Sequence, residues 1–151
     1  MREFQFSLHY ESGVDKYADR LDEYGSLRSE ALVSCLDPTE FWRLELVTGD
    51  RKALSAVDEL LRDKTVDRES ISSRDCRGAR RHSVLESDAS HRVVYTHVGD
   101  IQYCDAVPTI AARYLEGGTL FEVVRDGTTS RWRVLLQDDD KVGMVYDTIT
   151  G

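Results

Sequence analysis

The sequence predicts an α+β domain made of two copies of a βαββα unit. Each copy is an antiparallel sheet with its helices on one face. Three observations carry this expectation. Stretches with period-two apolar alternation are interleaved with stretches whose apolar residues recur every three or four positions. The order βαββα is read in both halves, the second led by one additional strand. A Trp-Arg pair sits at matching places in Phe41-Trp42-Arg43-Leu44 and Arg131-Trp132-Arg133-Val134, as an internal repeat would place it.

Taken in order, Glu3 to Tyr10 alternates Phe4, Phe6, Leu8 and Tyr10 with polar residues and reads as a half-buried strand. Asp15 to Tyr24 carries Tyr17, Leu21 and Tyr24 at helical spacing. Ser29 to Leu36 is a second strand, stopped by Pro38, which cannot donate to a ladder. Phe41 to Val47 is a third. Asp50 caps a helix from Lys52 to Arg62, whose apolar side is Ala53, Leu54, Val57, Leu60 and Leu61.

Lys64 to Arg81 is polar and aperiodic and reads as a linker. Beyond it, Ser83 to Glu86 and Arg92 to Val98 are strands joined by Ser87-Asp88-Ala89-Ser90. A helix runs from Val107 to Leu115 and stops at Gly117-Gly118. Thr119 to Arg125 turns at Asp126-Gly127 into Ser130 to Gln137, and Val142 to Ile149 closes the chain as a helix. The predicted organisation is residues 1–63, a linker at 64–81, and residues 82–151, packed as one unit. Each half is of the ferredoxin-like or ACT-like kind, with two sheets able to meet edge to edge.

Composition narrows the function. The chain has 151 residues with 28 acidic against 20 basic side chains, a net charge of -8. A surface of that sign repels nucleic acid, so direct DNA contact is not expected. No apolar run is long enough for a membrane span. The first residues lack a secretion signal, which points to the cytoplasm. Lysine occurs only at Lys16, Lys52, Lys64 and Lys141, and the remaining basic residues are arginines. Together with runs such as Asp138-Asp139-Asp140, this marks a salt-adapted, halophilic surface.

No nucleotide-binding loop or nucleophile elbow is present, and no carboxylate pair stands out, so no enzyme activity is expected. The cysteines are Cys35, Cys76 and Cys104. Their odd number in a cytoplasmic chain argues against a disulfide framework. Cys35 lies in a strand as a packed thiol. Cys76 lies among Arg74, Arg77, Arg80 and Arg81, and Cys104 precedes a helix; both settings favour a reactive thiolate. With His82 and His97 they are redox or soft-metal candidates, although no close ligand pair supports a metal, and no cofactor is identified. Tyr95 and Tyr103 are candidates to line a pocket, while Trp42 and Trp132 are expected in the core.

Several stretches also match a known group: Met1-Arg2-Glu3-Phe4, Phe41-Trp42-Arg43-Leu44, Val47-Thr48-Gly49, Asp75-Cys76, Cys104 with Val107-Pro108, and Tyr146-Asp147. In these the chain resembles the N-terminal domain of haloarchaeal helix-turn-helix transcriptional regulators of the bacterio-opsin activator type. The resemblance implies a sensory module, answering a small-molecule or redox signal, that biases a C-terminal or partner helix-turn-helix domain. The alternative is a stand-alone dimerisation or protein-interaction domain with no small ligand, in which copies of the chain pair as a homodimer.

Overall fold

The alternating first block forms strand β1 (Arg2–His9), and the chain continues as α1 (Lys16–Glu23), β2 (Arg28–Asp37), β3 (Glu40–Thr48) and α2 (Arg51–Arg62). Then follow β4 (Arg77–Ser87), β5 (His91–Tyr103), α3 (Val107–Tyr114), β6 (Leu120–Asp126), β7 (Thr129–Leu136) and α4 (Val142–Thr150). This computed structural model describes residues 2–11, 16–62, 76–115, 119–136 and 142–150. The expected helix stop at Gly117-Gly118 and linker residues 64–75 lie outside the described residues. Among the described residues no helix is long and apolar enough to cross a membrane.

All seven strands join one antiparallel sheet in the order β1-β7-β6-β2-β3-β5-β4. The two ferredoxin-like sheets expected to meet edge to edge are thus one continuous sheet, with strands of the two halves interleaved. The first strand of the chain pairs with β7, the last, and β5 pairs with β3 of the first half. The halves meet in the middle, where β2 pairs with β6. Helix contacts cross over in the same way, with α1 against β6 and α3 against β2. Neither half has a sheet of its own, because each supplies the strand that covers the other's edge.

The Trp-Arg match does not survive the register. Trp132 stands opposite Phe6 and Val123 and is 7% exposed on the helix-covered face. Trp42 stands opposite Ser34 and His97 on the other face. Side chains alternate between faces along a strand, so a one-residue slip in alignment places the two indoles on opposite sides.

β4 begins six residues earlier than the sequence pattern predicts, so residues 77–81 are strand and not linker. It is an edge strand with only one neighbour, which frees it from apolar alternation. Its register shifts twice against β5. At the first shift a Cβ on Gly78 would lie 2.9 Å from the Gly99 carbonyl oxygen, so glycine permits the close approach. Gly127, at φ 58°, takes the left-handed place in the two-residue β6–β7 turn.

The buried face holds two core clusters. Phe41, Val98, Val107, Phe121, Val134 and Val145 belong to one, under α3 and α4. Leu21, Leu54, Val57 and Val94 belong to the other, under α1 and α2. The N-terminus of α2 is closed by Asp50, whose Oδ1 accepts from the Ala53 N–H at 2.8 Å while Ser26 Oγ donates to Oδ2 at 3.0 Å. The Ala53 N–H, then the Ser26 hydroxyl, hold the Asp50 carboxyl below its ordinary range. Arg92 on β5 grips Asp58 of α2 through Nε and Nη2, both at 3.1 Å, and fastens that helix to the sheet.

Candidate functional site

Cys76 immediately precedes β4 and Cys104 immediately follows β5. Because Arg77 pairs with Tyr103, the next step outward sets the two cysteines opposite each other, with Cα atoms 4.2 Å apart. They form a disulfide that closes the open end of the β4–β5 hairpin. The expectation against a disulfide is thereby corrected. Two of the three cysteines form the disulfide; Cys35 keeps its thiol, buried in β2 and donating to the Glu40 carbonyl at 3.5 Å. An odd count excluded nothing once one cysteine was a core residue.

Two arginines flank the bond. Arg80 Nη2 donates to the Cys76 carbonyl at 3.2 Å, and Arg113 Nη2 donates to the Cys104 carbonyl at 3.0 Å. Arg113 also lies 3.4 Å from Asp105, whose carboxylate accepts from the Tyr103 hydroxyl. The Thr109 hydroxyl donates to the Cys104 carbonyl at 2.8 Å and accepts from the Ala106 N–H at 3.2 Å, which fixes the entry into α3. Pro108 stands in the first turn of α3, where its missing N–H costs nothing. Both cysteines are buried, so an external thiol reaches the sulfurs only through local opening around the bond. Arg80 and Arg113 both donate to main-chain carbonyls, so they hold the backbone on either side of the bond.

A second polar cluster lies beneath α1. The Tyr17 hydroxyl donates to Glu45 Oε2 at 2.9 Å, and Ser29 Oγ donates to the same oxygen. Arg43 Nε stands 3.9 Å from Glu45 Oε1. The Arg125 guanidinium lies over the rings of Tyr10 and Tyr17, at 5.3 and 5.4 Å from their centroids. Tyr17, Ser29, Arg43, Glu45 and Arg125 border a cavity of about 20 Å³, room for about one water and far below what an organic ligand needs. The cluster is an anchor for α1.

A family model described as HVO_2928_N, N-terminal, matches residues 3–151. The chain belongs to this family. It is a haloarchaeal domain family, in keeping with the arginine-rich, acidic composition. No curated protein and no solved structure matches the chain.

Within this HVO_2928_N domain the other sequence candidates do not converge on the cysteines. His82 lies on the helix-covered face, its Nδ1 2.9 Å from Thr96 Oγ1. His97 and Tyr95 lie on the opposite face, where His97 Nε2 meets Glu40 Oε2 at 2.8 Å and its ring tilts against Trp42 at 5.6 Å. Tyr103 alone adjoins the disulfide. No cluster of three or more His, Cys, Asp or Glu side chains suited to a metal occurs among the described residues. With both sulfurs in a disulfide, the candidate metal ligands Cys76 and Cys104 have no thiolate to offer.

Arg43, Glu45 and Arg125 were not among the sequence candidates. Their signal was present: in Phe41-Trp42-Arg43-Leu44-Glu45-Leu46-Val47, either alternate set contains apolar residues, and the structure buries the set that includes both charges.

Proposed function

We propose that the chain is the thiol-responsive regulatory domain of a transcription regulator of the bacterio-opsin activator type, with output made by a helix-turn-helix segment elsewhere. The observation that supports it best is the Cys76–Cys104 disulfide at the open end of the β4–β5 hairpin, flanked by Arg80 and Arg113. Inside a cell, where thiols are kept reduced, an isolated disulfide pair is characteristically a redox sensor and not a staple.

In the oxidised state the start of β4 is tied to the segment entering α3. A cellular dithiol attacks one sulfur through its thiolate. The S–S bond breaks by way of a mixed disulfide, and the second thiol of the reductant displaces the remaining link. Two electrons and two protons pass to the protein, leaving two cysteine thiols and an oxidised dithiol. Reduction gives up loop-closure stabilisation of about 3–4 kcal/mol for a crosslink of this span. The hairpin end and the first turn of α3 then open together, and that is the signal.

The mirror order of the strands supports a further part of this reading: the halves are copies of one unit in which β1 and β5 have changed places.

Hydrogen exchange of the oxidised and dithiol-reduced protein tests the proposal. The expected result is faster exchange at the outer ends of β4 and β5 and in the first turn of α3, with β1, β2 and β6 unchanged. Identical exchange in the two states, or global unfolding on reduction, would contradict it.

A further inference from the structure

The helices all cover one face of the sheet, and among the described residues no helix lies on the other. The registers put three rows of side chains across that open face. One runs Gln5, Arg133, Glu122, Leu32, Leu44, Tyr95. The row on one side brings Leu135, Leu120, Ser34, Trp42 and His97 together. The row on the other brings Val124, Glu30, Leu46 and Val93 together. Leu32, Leu44, Leu46 and Leu120 are 47%, 45%, 38% and 39% exposed. Four large side chains left this open at the centre of one face form a patch of the kind that marks an interaction site.

We propose that this face is the contact surface of a homodimer, in which two sheets pack face to face about a two-fold axis close to Leu32 and Leu44. Independently of the thiol reading, two observations favour a second copy over a partner of opposite charge.

The first is charge. The chain as a whole carries -8, yet several charges on this face have an opposite charge or an imidazole beside them within it. Arg28 lies 3.5 Å from Glu30, and Arg133 lies 3.7 Å from both Glu3 and Glu122. His97 and His91 lie 2.8 Å from Glu40 and Glu86. These pairings soften both the field the face offers to a cationic partner and the repulsion a second copy meets there. In high salt the residual repulsion is screened, while burial of the leucines is undiminished.

The second is size. Seven strands about 4.8 Å apart, over a shared span taken as the 7 residues of the shortest strand β6, present roughly 800 Å² of sheet. That is about the area each partner contributes to a standard stable interface, and stacked sheets pack in this manner. Edge pairing through β4 fits less well, since that strand is bulged and carries Arg77, Arg80 and Arg81.

Sedimentation velocity on the whole chain in multimolar KCl, from micromolar to near-millimolar concentration, provides the test. The expected species has twice the 17.2 kDa chain mass. Leu44→Glu should weaken the dimer at least ~30-fold, as loss of a central apolar contact does, and leave the circular dichroism spectrum unchanged. Leu85→Glu, at a position 63% exposed on edge strand β4, should leave the dimer intact. Should Leu44→Glu fail to fold, Leu44→Cys should give a crosslinked dimer with a short bis-maleimide. A strictly monomeric wild-type protein, or a dimer lost in Leu85→Glu and kept in Leu44→Glu, overturns the proposal. So does a folded Leu44→Glu protein that dimerises as before, or an uncrosslinked Leu44→Cys.

Discussion

Tyr17 of α1 and Glu45 of β3 share a 2.9 Å hydrogen bond in a site where both are almost wholly buried. The bond carries the helix across the sheet, since β3 lies two strands from β6, the strand that α1 also contacts. Removing the Tyr17 hydroxyl leaves a buried carboxylate oxygen with one donor fewer. Tyr17→Phe should therefore destabilise the fold by about 1–3 kcal/mol, the scale of hydrogen bonds to charged groups. Urea denaturation checks this as a lower midpoint with an unchanged slope.

The two tryptophans should respond very differently to truncation. Trp132 stacks on Phe6 at 6.2 Å and meets Phe121 edge-on at 6.3 Å, and its indole N–H donates to Ser130 Oγ at 3.0 Å. Trp132→Ala should cost about 3–5 kcal/mol, the range for emptying an aromatic core site. Trp42, on the open face beside His97, leaves no enclosed void; Trp42→Ala in the monomeric Leu44→Glu background should cost less than about 1 kcal/mol. Thermal melts of the two variants would separate them at once.

Acid should remove the contribution of the Asp50 cap. Its carboxyl is held below the ordinary value of 3.8 in the folded state, first by the Ala53 N–H and then by Ser26. The unfolded chain therefore binds the proton more readily. The stabilisation is fully present above 3.8 and is lost as pH falls through the lower, folded value. Asp50→Ala should melt below wild type at neutral pH, with the gap narrowing in that acid window. Melting curves at neutral and acid pH in constant salt would reveal it. A gap that persists unchanged in acid would assign the loss to something other than the cap.

Element type was readable along the sequence because alternation and helical spacing are local properties. The ends of β4 and β5 were not, since an edge strand such as Arg77–Ser87 has no partner on one side and needs no apolar rhythm. Strand order was also beyond local patterning: nothing in Glu3 to Tyr10 states that its neighbour is residues 129–136 and not β2. The Trp-Arg match misled because identity of letters says nothing about which face a strand turns inward. The disulfide left a usable signal. Cys76 and Cys104 stand symmetrically about Ser90, in the turn between two segments read as strands, so hairpin pairing extended outward brings them face to face. A rule based on compartment and count obscured it.

The central claim is that the Cys76–Cys104 bond is an exchangeable switch, and its reduction potential tests this most directly. The oxidised chain would be equilibrated in dithiol buffers of graded potential and its free thiols counted by mass after alkylation, with buried Cys35 as the internal reference. A switch gives a two-electron transition with a midpoint above about -300 mV, within reach of cellular dithiols. A bond that stays closed to well below that potential, opening only when the protein unfolds, would be a structural crosslink and would contradict the account.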